Sequence, residues 1–228
     1  MLKAVLFDMD GTITELTLPL EAMRSDTKKF FLERGLPSSL LTIDDGISST
    51  KYKAKTYFSD NGISEEDWKQ MELDLDVVLN SHEGDAAKNT LIIPGTLESV
   101  QQIRTLGLKT AVLTNNGRHA VDIILQTHPF HEYFDIIQTR NESPNPKPYP
   151  DGLLKLVRYL NLKVDEVVYV GDARIDAAAA QAAGIEFWGV STGETSKQVL
   201  VSVGSDLVFS SLNEVAKEVK NRIDNELD

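Results

Sequence analysis

The 228-residue sequence contains no cysteine, which excludes disulfides and thiolate metal sites and agrees with a reducing compartment. Basic residues are few beside acidic ones: 23 Lys and Arg against 35 Asp and Glu give a formal charge of -12. A chain so acidic lacks the basic patches that hold nucleic acid or anionic lipid, so neither is expected as a partner. Nothing in it approaches the roughly 20 consecutive apolar residues of a membrane span. A secretory segment is not expected either, because Asp8 ends the apolar run Ala4-Val5-Leu6-Phe7 before an h-region can form. Histidine is sparse, and His82, His119, His128 and His131 show no metal-ligand spacing. What remains is 41% hydrophobic and 25% charged, the balance of a globular protein with one sizeable core and room for a smaller domain. The expectation is a cytoplasmic monomer or homodimer.

Hydrophobic periodicity divides the chain. Ala4 to Phe7, ending at Asp8-Met9-Asp10-Gly11-Thr12, has the pattern of a buried parallel strand. Residues 18–89 carry no comparable strand and instead predict helices over Leu20–Arg34, Ser48–Phe58 and from Ser64, as N-cap, to about Ser81. From residue 90 the pattern alternates. Strands are expected at Lys109–Leu113, Phe134–Ile137, Glu166–Val170, Glu186–Val190 and Asp206–Phe209. Helices are expected at Thr96–Leu106, Arg118–Thr127, Tyr149–Leu160, Ala173–Ala183 and Leu212–Ile223. Such alternation predicts an α/β fold: a parallel sheet with helices on both faces, formed by residues 1–17 and 90–228 and interrupted by an all-helical insertion over 18–89.

Ligands of a parallel α/β sheet gather at the carboxyl ends of its strands. There the sequence places Asp8 and Asp10 after the first strand and Thr114-Asn115-Asn116 after the Lys109 strand. Gly171-Asp172 follows the Glu166 strand, with Asp176 one turn on, and Lys147 lies in a proline-rich loop. Four carboxylates outweigh the one lysine and repel one another unless a hard divalent cation joins them, and Mg²⁺ suits carboxylates, water and a phosphate oxygen. Roles then sort by chemistry. Asp8 is the nucleophile, forming an aspartyl phosphate; Asp10, two residues on, is the acid and base. Thr114, Asn115 and neighbouring amides hold phosphoryl oxygens, Lys147 neutralises their charge, and Asp172 and Asp176 anchor the cation. The substrate expected is a small phosphorylated metabolite.

The motifs carrying these residues resemble those of the haloacid dehalogenase (HAD) superfamily. Asp8-Met9-Asp10-Gly11-Thr12 is similar to its first, Leu113-Thr114-Asn115 to its second, Lys147-Pro148-Tyr149-Pro150-Asp151 to its third, and Gly171-Asp172-Ala173-Arg174-Ile175-Asp176 to its fourth. The resemblance implies a Rossmann-like core with a helical cap of the first type and activity like that of phosphoglycolate phosphatases. It further implies that Asp8 and the backbone carbonyl of Asp10 ligate Mg²⁺. Ala173 departs from it, standing where many relatives have Ser or Thr.

Other functions have weaker support. Sugar phosphomutases of the β-phosphoglucomutase type share the motifs but place a histidine soon after the first, and Ile13 to Phe31 contains none. Dehalogenases do without the aspartate present here as Asp10. Phospho-receiver modules lack a large insertion after the first strand. Phosphonate hydrolysis through a lysine Schiff base would need one of the cap lysines. Of those, Lys51, Lys53 and Lys55 are either a solvated helix face or a substrate-recognition cluster. Trp68 and Trp188 are expected to pack in cores.

Overall fold

The computed structural model describes residues 1–205 and 207–227. The chain forms two compact units, one of Met1–Thr17 with the residues from Thr90 on, the other of Leu18–Asn89.

The first unit is built on six strands: β1 (Ala4–Phe7), β2 (Lys109–Leu113), β3 (Ile136–Gln138), β4 (Val167–Gly171), β5 (Glu186–Val190) and β6 (Leu207–Phe209). All pair in parallel, in the order β3-β2-β1-β4-β5-β6. The short apolar run of β1 is buried along its whole length, as a strand flanked on both edges and both faces must be. Asp206, expected to open the last strand, lies outside the described residues. The third strand starts two residues later than its apolar pattern suggests. Phe134 is drawn instead into an edge-on contact with Phe7, ring centroids 6.0 Å apart, and its N–H bonds back to Phe130.

The second unit contains α1 (Leu20–Leu32), α2 (Ile47–Asp60) and α3 (Glu65–Ala87). Its core gathers Met23, Phe30, Phe31, Leu36, Ala54, Trp68, Leu75 and Leu79. Phe31 and Trp68 stack nearly parallel, with centroids 6.0 Å apart and planes 8° apart, so Trp68 is a packing residue. Ser64 caps α3 by accepting the N–H of Asp67 at 3.0 Å. The helix continues past Ser81 because its buried stripe does: Leu75, Leu79, Glu83 and Ala87 recur every fourth residue. Ahead of α2, Asp45 ties a loop together, accepting from the N–H of Thr42 at 2.7 Å and from Lys53 at 2.7 Å. Lys51 pairs with Glu72 at 2.7 Å, and Lys55 is exposed.

Around the sheet lie α4 (Thr96–Thr105), α5 (Arg118–Thr127), α6 (Asp151–Tyr159), α7 (Arg174–Ala183), α8 (Lys197–Ser202) and α9 (Leu212–Leu227). On one face Leu153, Leu156 and Val157 of α6 and Ala177 and Ala180 of α7 pack against Ala4, Leu6, Leu113 and Tyr169. Burying each such leucine stabilises the fold by about 1.5–3 kcal/mol. Helices α4 and α9 pack on each other outside that cluster, on the side to which alternation turns Val5 and Phe7. The short α8 has no clear sequence signal. Trp188 is buried against Phe209, with its indole N–H donating to Glu186 at 2.7 Å. No helix among the described residues is long and apolar enough to cross a membrane.

Candidate active site

Because all six strands run the same way, their carboxyl ends open onto one edge of the sheet. Asp8 follows β1 directly, and its N–H donates to the carbonyl of Val170 in β4 at 2.8 Å. The chain then turns tightly. Ile13 and Thr14 donate to the Met9 carbonyl, and Gly11 donates to that of Thr14 at 2.7 Å. Gly11 has φ +77°, a conformation open to glycine, and a Cβ there would lie 2.5 Å from Oδ2 of Asp172.

Lys147 is 2% exposed and all three of its ammonium protons have acceptors. Nζ lies 2.6 Å from Oδ1 of Asp8, 2.7 Å from Oδ1 of Asp176 and 3.1 Å from the Tyr169 hydroxyl. Tyr169 in turn donates to Oδ1 of Asp176 at 2.9 Å, and the Ala173 N–H donates to Oδ2 of Asp176 at 3.0 Å. That last bond is half of a capping box at the start of α7. It uses a backbone group, so alanine at position 173 can supply it.

The side chains after β2 do not all face the same way. Thr114 is buried, and its hydroxyl accepts the N–H of Asn116 at 3.0 Å. Asn115 spans the Lys147 peptide, donating to its carbonyl at 2.9 Å and accepting its N–H at 3.0 Å. Its side chain is thus committed to the lysine loop. Asn116 instead donates to Oδ2 of Asp10 at 2.7 Å. Arg140 braces both asparagines: its guanidinium donates to the Asn115 carbonyl at 2.5 Å, and its N–H donates to that of Asn116 at 3.0 Å.

Asp172 accepts the N–H of Glu194 on Oδ2 at 2.6 Å, with the Thr12 hydroxyl 3.4 Å from Oδ1. Asp8, Asp172 and Asp176 are all buried, with carboxylate oxygens within 4.8 Å of one another. Burial above all, then the charge of Asp176, pushes Asp8 well above the usual carboxylate range. The same two causes raise Asp172 to about 7. Burial would lower Lys147, but Asp176 and Asp8 outweigh it and hold its proton firmly. Three buried carboxylates facing one lysine, with oxygen as the only donor type, fit a hard divalent cation, which relieves the repulsion that raises Asp8 and Asp172. Asp10 is not in this trio. Asp176 is, yet both its oxygens already accept hydrogen bonds.

The structure therefore brings Asp8, Lys147, Asp172 and Asp176 into one cluster, with Asp10 tied to Asn116, which follows Thr114. Tyr169, Arg140 and the residues after β5 join them without having been singled out from the sequence. Position at a strand end was the available signal for the last group.

A parallel sheet with an acidic cluster and one buried lysine at its carboxyl edge defines an α/β protein that carries its site at the strand ends. Residues 5–190 match the haloacid dehalogenase-like hydrolase family, and the chain belongs to it. The chain is similar to the phosphoglycolate phosphatase of Chromobacterium violaceum, at 28% identity over 96% of this chain and 97% of that protein. Among solved structures, a hydrolase from Pseudomonas syringae aligns with a TM-score of 0.67 at 21% identity, covering 96% of this chain and 98% of that one. A Thermotoga maritima protein provisionally described as a β-phosphoglucomutase aligns with a TM-score of 0.61 at 22% identity, covering 96% and 98%. At these identities the two structures speak to the fold alone. The protein is a phosphatase of the haloacid dehalogenase-like class.

Proposed function

We propose that the protein is a Mg²⁺-dependent phosphatase that hydrolyses a small soluble phosphomonoester through an aspartyl phosphate on Asp8. The observation that carries this reading is the Asp8 carboxylate held 2.6 Å from Lys147 within a buried trio of acids. The similarity to phosphoglycolate phosphatases over nearly the full chain makes 2-phosphoglycolate the first substrate to try.

In this reading an Asp8 oxygen attacks phosphorus and the bond to the ester oxygen breaks. Asp10 donates its proton to that leaving oxygen. It then takes a proton from water as the water oxygen attacks phosphorus and the Asp8–phosphorus bond breaks. Lys147 and the Thr114 hydroxyl neutralise and hold the phosphoryl oxygens through both steps. Asp8, Asp172 and the Asp10 carbonyl would hold Mg²⁺, while Asp176, with its oxygens engaged, holds Lys147 in place. When bound, the cation supplies charge neutralisation at the phosphoryl group. The absence of histidine between Ile13 and Phe31 favours hydrolysis over phosphomutase transfer.

The test is phosphate release from a panel of phosphorylated metabolites, with and without Mg²⁺. Release that needs Mg²⁺ and disappears in Asp8→Asn is expected. Undiminished release in that variant would remove Asp8 as nucleophile.

A further inference from the structure

The loop after β5 enters the site although none of its residues bears on the four motifs. The Thr192 hydroxyl donates to the Gly11 carbonyl at 2.5 Å. Two residues on, the Glu194 N–H donates to Oδ2 of Asp172 at 2.6 Å. Between them Gly193 has no room for a side chain. A Cβ there would overlap Oδ2 of Asp172 and stand 2.7 Å from the Gly11 Cα. Gly193 is not among the glycines with positive φ, so space rather than backbone conformation requires glycine at this position.

We propose that Thr192, Gly193 and Glu194 are positioning residues, a clamp that fixes the Asp172 carboxylate against the turn after Asp8 and so prepares the cation site. The proposal rests on the Mg²⁺ reading given above. One bond ties the clamp to the turn and another ties it to the carboxylate, so the two strand-end loops are set relative to each other through a third. With Oδ2 bound to a peptide N–H, Asp172 cannot rotate freely about its Cβ–Cγ bond. A ligand held in place before the cation arrives loses less conformational freedom on binding, which raises affinity. Groups that orient metal ligands in this way typically change affinity by about 10–100-fold when altered.

The test measures Mg²⁺ binding directly, by titration calorimetry on the whole protein without substrate, with circular dichroism and melting in chelator to follow the fold. The wild-type protein is expected to bind Mg²⁺. Gly193→Ala should weaken the dissociation constant by about 10-fold or more while keeping its helical content. Thr192→Val should weaken it less, and Thr192→Ser, which keeps the hydroxyl, should restore it to within about twofold of wild type. Folded Gly193→Ala with wild-type affinity overturns the clamp and leaves the phosphatase reading standing. If that variant does not fold, the Thr192 pair decides: Thr192→Val binding as well as Thr192→Ser overturns it. Absence of Mg²⁺ binding by the wild-type protein overturns both the metal reading and the clamp.

Discussion

Asn116 donates its side-chain amide to Oδ2 of Asp10 at 2.7 Å, linking the loop after β2 to the loop after β1. An amide N–H on a carboxylate oxygen fixes the orientation of the group, on which proton transfer to a leaving oxygen depends. Asn116→Ala is therefore expected to lower kcat by about 10–100-fold while changing KM little. Steady-state kinetics on an aryl phosphate measure this, and an unchanged kcat would detach Asn116 from the acid-base role proposed for Asp10.

Tyr169→Phe keeps the ring that packs near Phe187 but removes the hydroxyl between Lys147 and Asp176. A buried ammonium proton then lacks its acceptor. The expected loss is about 1–3 kcal/mol of stability, read from urea unfolding, together with a lower kcat as Lys147 loses its fixed orientation. Wild-type stability would show that the hydroxyl contributes nothing to the lysine's placement.

Burial first, and then the charge of Asp176, raises Asp172 to about 7. The folded protein is then the stronger proton binder at this carboxyl between about pH 4 and 7, so the group's contribution to stability falls as pH rises through that window and levels off above it. A cation competes with the same proton. The rise in melting temperature on adding Mg²⁺ should therefore grow from about pH 5 to pH 8. An increment that does not change with pH would contradict this.

In the helical unit, burial alone would raise Asp45, but hydrogen bonds from Lys53 and Thr42 bring it down to about 2. The stability it contributes is present above about pH 4 and is lost as pH falls through about 2. Asp45→Asn should cost about 1–2 kcal/mol at neutral pH, and Lys53→Met somewhat less because the lysine is partly solvated. Urea unfolding of both variants measures this. If both match wild type, the pair does not hold the loop ahead of α2.

Much of the core fold was legible because apolar runs such as Ala4–Phe7 stop at polar residues where a parallel strand ends. Asp8, Thr114 and Asp172 occupy such stops, so their placement followed from the sheet. Tyr169 did not stand out, since a tyrosine inside a strand has the pattern of an ordinary core residue and only the fold reveals what its hydroxyl reaches. The contact of Glu194 with Asp172 uses a backbone N–H, which every residue but proline carries and which no residue type announces. Asn115 looked suited to phosphate by its position, while the peptide it spans, that of Lys147, is 32 residues away in sequence. The end of α3 was missed because the polar run Ser81-His82-Glu83 resembles a stop, yet Glu83 is buried.

The central place of β1 has a consequence for synthesis. Ala4 pairs with Lys109 on one side and with Val167 on the other, so β1 is made before either neighbour and its second edge stays unpaired until β4 follows. Pairing across such separations is slow to form, and domains fold as they leave the ribosome. The helical segment 18–89 is complete before either partner strand exists. Asp8, whose N–H is held by Val170, precedes that partner in synthesis and is fixed in place only once β4 has been made. A nascent chain that stops short of β4 has the proposed nucleophile but not the site around it.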